Sequence, residues 1–128
     1  MTKVVYSAEG NHPYAKAVRA GDLIFVSGHL AWGDDGELIH GNIEQETRQV
    51  WKNIRKTLEG LGCNLQDIVK ATIWLQDTRD FINYNKAYSE VFPKDPPARS
   101  TVRADLMFDC KIEVEVVVYK PVAVTDRH

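Results

Sequence analysis

The chain has 128 residues, 44% of them hydrophobic and 27% charged, with a formal net charge of −2. That is enough for one soluble globular domain burying roughly two-thirds of its unfolded surface. Scattered basic residues on an acidic balance argue against nucleic acid as a partner. No run approaches the ~20 apolar residues of a membrane span, and Met1 to Glu9 is too polar for a secretory signal.

Cys63 and Cys110 lack metal-ligand spacing, and His12, His29, His40 and His128 form no HxH or HExxH pattern. The expectation is a cytoplasmic protein with reduced thiols and no metal.

Lys3 to Tyr6 reads as a short edge strand. Ala15–Ala20 and Leu23–Ser27 are extended runs separated by Gly21-Asp22, a two-residue hairpin signal with glycine first as a type II′ turn wants. Leu23-Ile24-Phe25-Val26 is continuously apolar, which predicts a central strand covered on both faces. It ends at Ser27-Gly28, where a small residue and a glycine let a ligand approach the backbone. Gly33 to Gly36 is a turn and Glu37 to His40 a short extended piece.

Asn42 is an N-cap with Gln45 at the capping-box position and Glu44 and Glu46 in the first turn. Ile43, Thr47, Val50, Trp51, Ile54, Leu58 and Leu61 then follow helical spacing along one face, and Gly60 or Gly62 supplies the stop. Ile68 to Leu75 alternates as a strand, with Val69, Ala71, Ile73 and Leu75 as its apolar face. Asp77 or Thr78 caps a second helix from about Arg79 to Val91, which packs through Phe81, Tyr84, Tyr88 and Val91. Pro93, Pro96 and Pro97 end it.

Two closing strands follow. In Lys111 to Tyr119, Ile112, Val114, Val116 and Val118 share one face, and Glu113, Glu115, Val117 and Tyr119 the other. Upstream, Arg99 follows two prolines that stiffen its approach. An arginine and a carboxylate on neighbouring strands would make an anion clamp with a proton-handling group beside it. About six strands and two helices predict a single α+β domain over 1–128, both helices on one face of the sheet, with residues 122–128 as a loose tail.

The blocks Pro97-Ala98-Arg99-Ser100 and Lys111-Ile112-Glu113-Val114-Glu115 resemble the RidA (YjgF, reactive intermediate deaminase) family. So do Pro13-Tyr14, Phe25-Val26-Ser27-Gly28, Gln45 to Val50, Asp67 to Lys70, and Asp80-Phe81 with Asn85 and Tyr88, in the family's order and spacing. The resemblance implies a chorismate-mutase-like fold with a mixed sheet, assembled as a barrel-like homotrimer with ligand sites between subunits. It further implies a cofactor-independent deaminase hydrolysing 2-imino or 2-enamino carboxylates to 2-keto acids and ammonia. Carried over, Arg99 binds the substrate carboxylate and Glu113 orients or deprotonates the attacking water. Backbone groups near Thr101 bond the imine end, and Tyr14, Ser27, Gly28, Asn85 and His29 line the pocket.

The chain departs from the family pattern at Thr101, His29 and His12, where cysteine, glutamine and glycine are usual. Thiol-dependent behaviour should therefore be absent, and the two histidines should alter pocket shape or polarity. Residue type alone leaves Arg99 open to pairing with Glu113 or Asp105, and periodicity does not separate Glu113 from Glu115. Three other functions remain: a catabolic deaminase of a larger enamine such as an aminomuconate, a non-catalytic trimer sensing 2-keto acids, and an endoribonuclease, against which the acidic charge counts.

Overall fold

One strongly amphipathic helix and one strand of strict alternation set the two layers of this protein, because each has a single apolar side to bury. The computed structural model describes residues 3–123. Its strands are β1 (Lys3–Ser7), β2 (Ala15–Ala20), β3 (Leu23–His29), β4 (Ile68–Leu75), β5 (Ala98–Arg103) and β6 (Ile112–Tyr119). The helices are α1 (Ile43–Gly60), between β3 and β4, and α2 (Phe81–Val91), between β4 and β5. They form one six-stranded sheet in the order β1-β2-β3-β6-β4-β5. Every pairing is antiparallel except β4 with β5, whose parallel register requires the crossover that α2 supplies. The sheet is therefore mixed, as expected.

Local signals set several of these boundaries. Asn42 Oδ1 accepts from the Gln45 N–H and Gln45 Oε1 from the Asn42 N–H, both at 2.9 Å, so the capping box at the head of α1 is complete. Gly62 carries the left-handed φ of 77° after α1, and Gly21 one of 63° in the β2–β3 hairpin. Asp77 caps a 3-10 turn at Thr78–Asp80, and α2 starts at Phe81, two residues later than expected.

The core lies between the helices and one face of the sheet. Ile24, Val26, Ala71, Ile73, Ile112, Val114, Val116 and Val118 meet Val50, Trp51, Ile54, Leu58, Tyr84 and Tyr88 there. Both helices thus cover the same face.

Three expectations need correction. β3 is covered on one face only within the chain: Ile24 and Val26 are buried, whereas Leu23 and Phe25 are exposed. On β4 the pairing with β6 shifts between Ile68 and Lys70, so Ile68 is buried and Val69 exposed, reversing the assignment that strict alternation gives. Glu37 to His40 makes only an isolated bridge, Leu38 to Trp32, and no strand.

At the C-terminal end, the Val122 N–H donates to Asp22 Oδ1 at 3.0 Å. The rest of the expected tail, from residue 124, lies outside the described residues.

Candidate active site

Ser27 and Gly28 reach one cavity because β3 is bulged. The pairing of β3 with β6 shifts between Val26 and His29, and His29 stands opposite Val114 on the helix-covered face. Ser27 and Gly28 are left on the other side, where they line a cavity of about 780 Å³ together with His12, Tyr14 and Glu113. Ser27 Oγ donates to the Ala15 carbonyl at 2.6 Å, which fixes β3 against β2. Tyr14 packs against His12 at a centroid separation of 5.1 Å, the rings tilted by 32°, and both line the cavity.

Glu113 stands opposite Trp74, on the face away from the helices. Its carboxylate packs onto Gly28 so closely that a β-carbon there would overlap Oε2. Among the described residues it forms no ion pair. Burial raises its pKa above the ordinary carboxylate value, and the negative charge of Glu115 adds to the shift. Glu115 itself is exposed. Burial, not periodicity, separates the two.

Arg99 belongs to a different place. It pairs with Ala71 and Thr101 pairs with Ile73, so both take the helix-covered side at the sheet edge formed by β5. The expected delivery of Arg99 and Glu113 to neighbouring strands does not hold, because β4 runs between β5 and β6 and the two side chains leave opposite faces. The Arg99 guanidinium stands over three rings of α2, at 5.9 Å from the Phe81 centroid, 5.5 Å from Tyr84 and 4.8 Å from Tyr88. No carboxylate among the described residues pairs with it, neither Glu113 nor Asp105. Burial raises the pKa of Tyr84 far above the ordinary phenol value, with the Arg99 charge opposing the shift.

Thr101 lines a second cleft of about 270 Å³ with Phe81 and Arg103, and its buried Oγ1 has no hydrogen-bond partner among the described residues. Asn85 follows Tyr84 on α2, half-buried, one turn on from Phe81. The site residues thus form two groups, Tyr14, Ser27, Gly28 and Glu113 on the open face and Arg99 and Thr101 at the helix-side edge, with Asn85 on α2 next to Tyr84, one of the rings under Arg99.

His29 joins neither group. Its Nδ1 is 2.8 Å from the Ser27 carbonyl, which only accepts, so Nδ1 carries the proton. Nε2 then accepts from Thr57 Oγ1 at 2.8 Å, tying β3 to α1. Burial lowers the His29 pKa, which keeps the ring neutral, and the bond to Ser27 only partly offsets this.

Leu30, Met107 and Phe108, to which sequence reasoning assigned no role, also line the larger cavity, and so does Trp32, which residue type assigns to packing in a core or at an interface. The available signal was the apolar run Leu106-Met107-Phe108 between the two closing strands. Sequence reasoning also left Glu46 as a first-turn charge, whereas Glu46 is fully buried and its Oε1 accepts from the Lys111 N–H at 2.9 Å. No group of three or more His, Cys, Asp or Glu among the described residues is arranged to hold a metal. Cys63 and Cys110 are free and buried. No helix among the described residues is long and apolar enough to cross a membrane.

Comparison with known proteins shows the family of the chain. The family model described as endoribonuclease L-PSP matches residues 6–120. A RutC family protein of Pyrococcus horikoshii is 39% identical over 110 residues, covering 84% of this chain and 87% of the relative. Reactive Intermediate Deaminase A, chloroplastic, of Arabidopsis thaliana is 38% identical over 107 residues, covering 82% of this chain and 57% of that protein. Among solved structures, RidA from an Antarctic Psychrobacter species superposes with a TM-score of 0.80 at 30% identity, over 90% of this chain and 93% of that one. With the matched segment spanning both groups of site residues, the chain belongs to the endoribonuclease L-PSP family, that of the RidA (YjgF) proteins.

Proposed function

We propose that this protein is a deaminase that hydrolyses 2-imino carboxylates to 2-keto acids and ammonia, in a site built from two copies of the chain. The observation that carries it is a pair of unsatisfied charges. Among the described residues, Arg99 stands over the α2 rings with no carboxylate, and Glu113 is held against Gly28 with a raised pKa and no cation. They leave opposite faces of one sheet, so a single chain does not close them on one small molecule. A ring of copies that sets one chain's β5 edge against its neighbour's open face would. The relative named as a reactive intermediate deaminase supports the choice of reaction.

The chemistry follows from the parts. The planar Arg99 fork takes the substrate carboxylate in bidentate fashion. β5 is an edge strand, so its outer backbone groups near Thr101 are available to hold the imine end. A protonated imine carbon is already electrophilic. Glu113 accepts a proton from water as the water oxygen bonds to that carbon, giving a carbinolamine. Glu113 then returns the proton to nitrogen, the C–N bond breaks with its electron pair leaving on ammonia, and the remaining hydroxyl gives its proton back to Glu113 as it becomes the keto group, the ammonia carrying that proton away as ammonium. The net reaction adds one water and involves no oxidation or reduction. Tyr14, Ser27 and Gly28 shape the water side of the cleft, and Asn85 the carboxylate side.

The test adds the protein to a dehydratase that releases a 2-imino acid and follows keto acid and ammonia. Acceleration that is lost in Arg99→Ala supports the assignment; equal rates for wild type and Arg99→Ala contradict it.

A further inference from the structure

We propose that Trp32, Met107 and Phe108 form a side-chain subsite that selects 2-imino acids bearing an aromatic side chain over those bearing a methyl group. The inference rests on the deaminase reading for the reacting end of the substrate and adds what the other end must be.

Two loops distant in sequence converge to make this feature. Trp32 follows β3, and Met107 and Phe108 stand in the β5–β6 connection, yet the Trp32 and Phe108 rings meet edge-to-face at 5.4 Å and 79°. All three side chains are exposed in the chain: Trp32 by 39%, Phe108 by 50% and Met107 by 87%. None joins the hydrophobic core, so packing of the fold does not account for them. An apolar cluster left in water beside a polar cleft marks a binding surface.

They line the same cavity as Glu113, above the buried Leu30. A substrate whose C2 lies by the Glu113 carboxylate therefore projects its side chain among these residues. In one chain, before a neighbour closes over it, the cavity of about 780 Å³ offers far more room than a methyl group fills. Among the described residues of one chain, no lysine or arginine lines it beside the apolar rim.

The rim is held in place from behind. The Trp32 carbonyl accepts from Asn53 Nδ2 at 2.8 Å and from Gln49 Nε2 at 3.0 Å, both on α1. The other loop is pinned where the Ala104 N–H donates to the Leu75 carbonyl at 3.0 Å and the Lys111 N–H to Glu46 Oε1 at 2.9 Å. A fixed aromatic wall discriminates better than a mobile one, because the complex does not have to order it. Met107, between the two pinned ends, supplies an adaptable contact.

The experiment uses the full chain in its native assembly. An amino-acid oxidase generates the imines of phenylalanine and alanine, and semicarbazide traps whatever imine the protein leaves. The wild type is expected to favour the phenylalanine imine in kcat/KM by about 10-fold or more, the scale of discrimination an apolar pocket provides. Phe108→Ala and Trp32→Val should bring that ratio close to one, chiefly through a lower kcat/KM on the phenylalanine imine.

A wild type without preference, or variants that keep the preference, would overturn the subsite. So would variants that lose only their assembly, since the rim would then be a subunit contact. If neither imine is turned over, the deaminase reading fails separately. The subsite is then decided by binding of phenylpyruvate against pyruvate: tighter phenylpyruvate binding that Phe108→Ala abolishes supports it, and equal binding removes it.

Discussion

The Glu113 carboxylate occupies the space that a side chain on Gly28 would need. The bulge in β3 turns Gly28 into the cavity, and β6 delivers Glu113 to the same spot from the neighbouring strand. Gly28→Ala should therefore act on the carboxylate and not on the fold, since the atom in conflict is the mobile end of a glutamate. The expected result is a fall in kcat of about 10-fold or more with stability within about 1 kcal/mol of wild type, because small displacements of a positioned base are costly to rate. Steady-state kinetics alongside urea unfolding checks both halves.

Glu113 should make activity and stability respond to pH in opposite senses. As a base it must be ionised, so its raised pKa moves the acid limb of the kcat profile above the ordinary carboxylate range. For stability, a folded pKa above the unfolded one means the native state binds more protons. Its contribution is then fully present below the unfolded carboxyl pKa and is lost as pH rises through the folded value. Glu113→Gln removes that loss. The variant should be inactive yet melt higher than wild type at neutral pH, and the gap in Tm should close on acidification below pH about 4. An unchanged Tm difference across this range would speak against a strained carboxylate.

His29 is a tie between β3 and α1, and its removal should read as a stability effect. Both ring nitrogens are engaged, with the Ser27 carbonyl and the Thr57 hydroxyl. His29→Ala should cost about 1–3 kcal/mol for two lost hydrogen bonds and leave kcat within a few-fold of wild type. A large loss of kcat at unchanged stability would put His29 back in the site.

Glu46 anchors Lys111, just ahead of β6 and two residues before Glu113. It is fully buried, bonded to the Lys111 N–H at 2.9 Å and 3.5 Å from Lys111 Nζ. Glu46→Ala strands that N–H and opens a cavity, so a cost of about 2 kcal/mol or more is expected, with Glu46→Gln milder because it keeps an acceptor. Chemical denaturation of the two variants tests the order.

What was legible in the sequence was what local spacing fixes. Asn42 and Gln45 read as a capping box because the motif needs only four residues, and Gly21-Asp22 read as a hairpin turn for the same reason. Bulges were not legible. They carry no compositional mark, yet each reverses which side chains face the core, and so Val69 and Ile68 exchanged places and His29 turned toward α1. Strand order was equally hidden: residue spacing does not show that β4 lies between β5 and β6, nor that Arg99 and Glu113 leave opposite faces. Glu113 and Glu115 share a face by periodicity, and only their depth in the assembled sheet tells them apart.

The most direct test of a two-copy site is complementation between two inactive variants. Arg99→Ala and Glu113→Ala are each expected to abolish imine hydrolysis. Co-expressed in equal amounts so that their chains assemble at random, they should regain roughly a quarter of wild-type activity, because one site in four then combines an intact Arg99 from one chain with an intact Glu113 from its neighbour. No recovery in demonstrably mixed assemblies would contradict the account, since it would mean that both residues must come from the same chain.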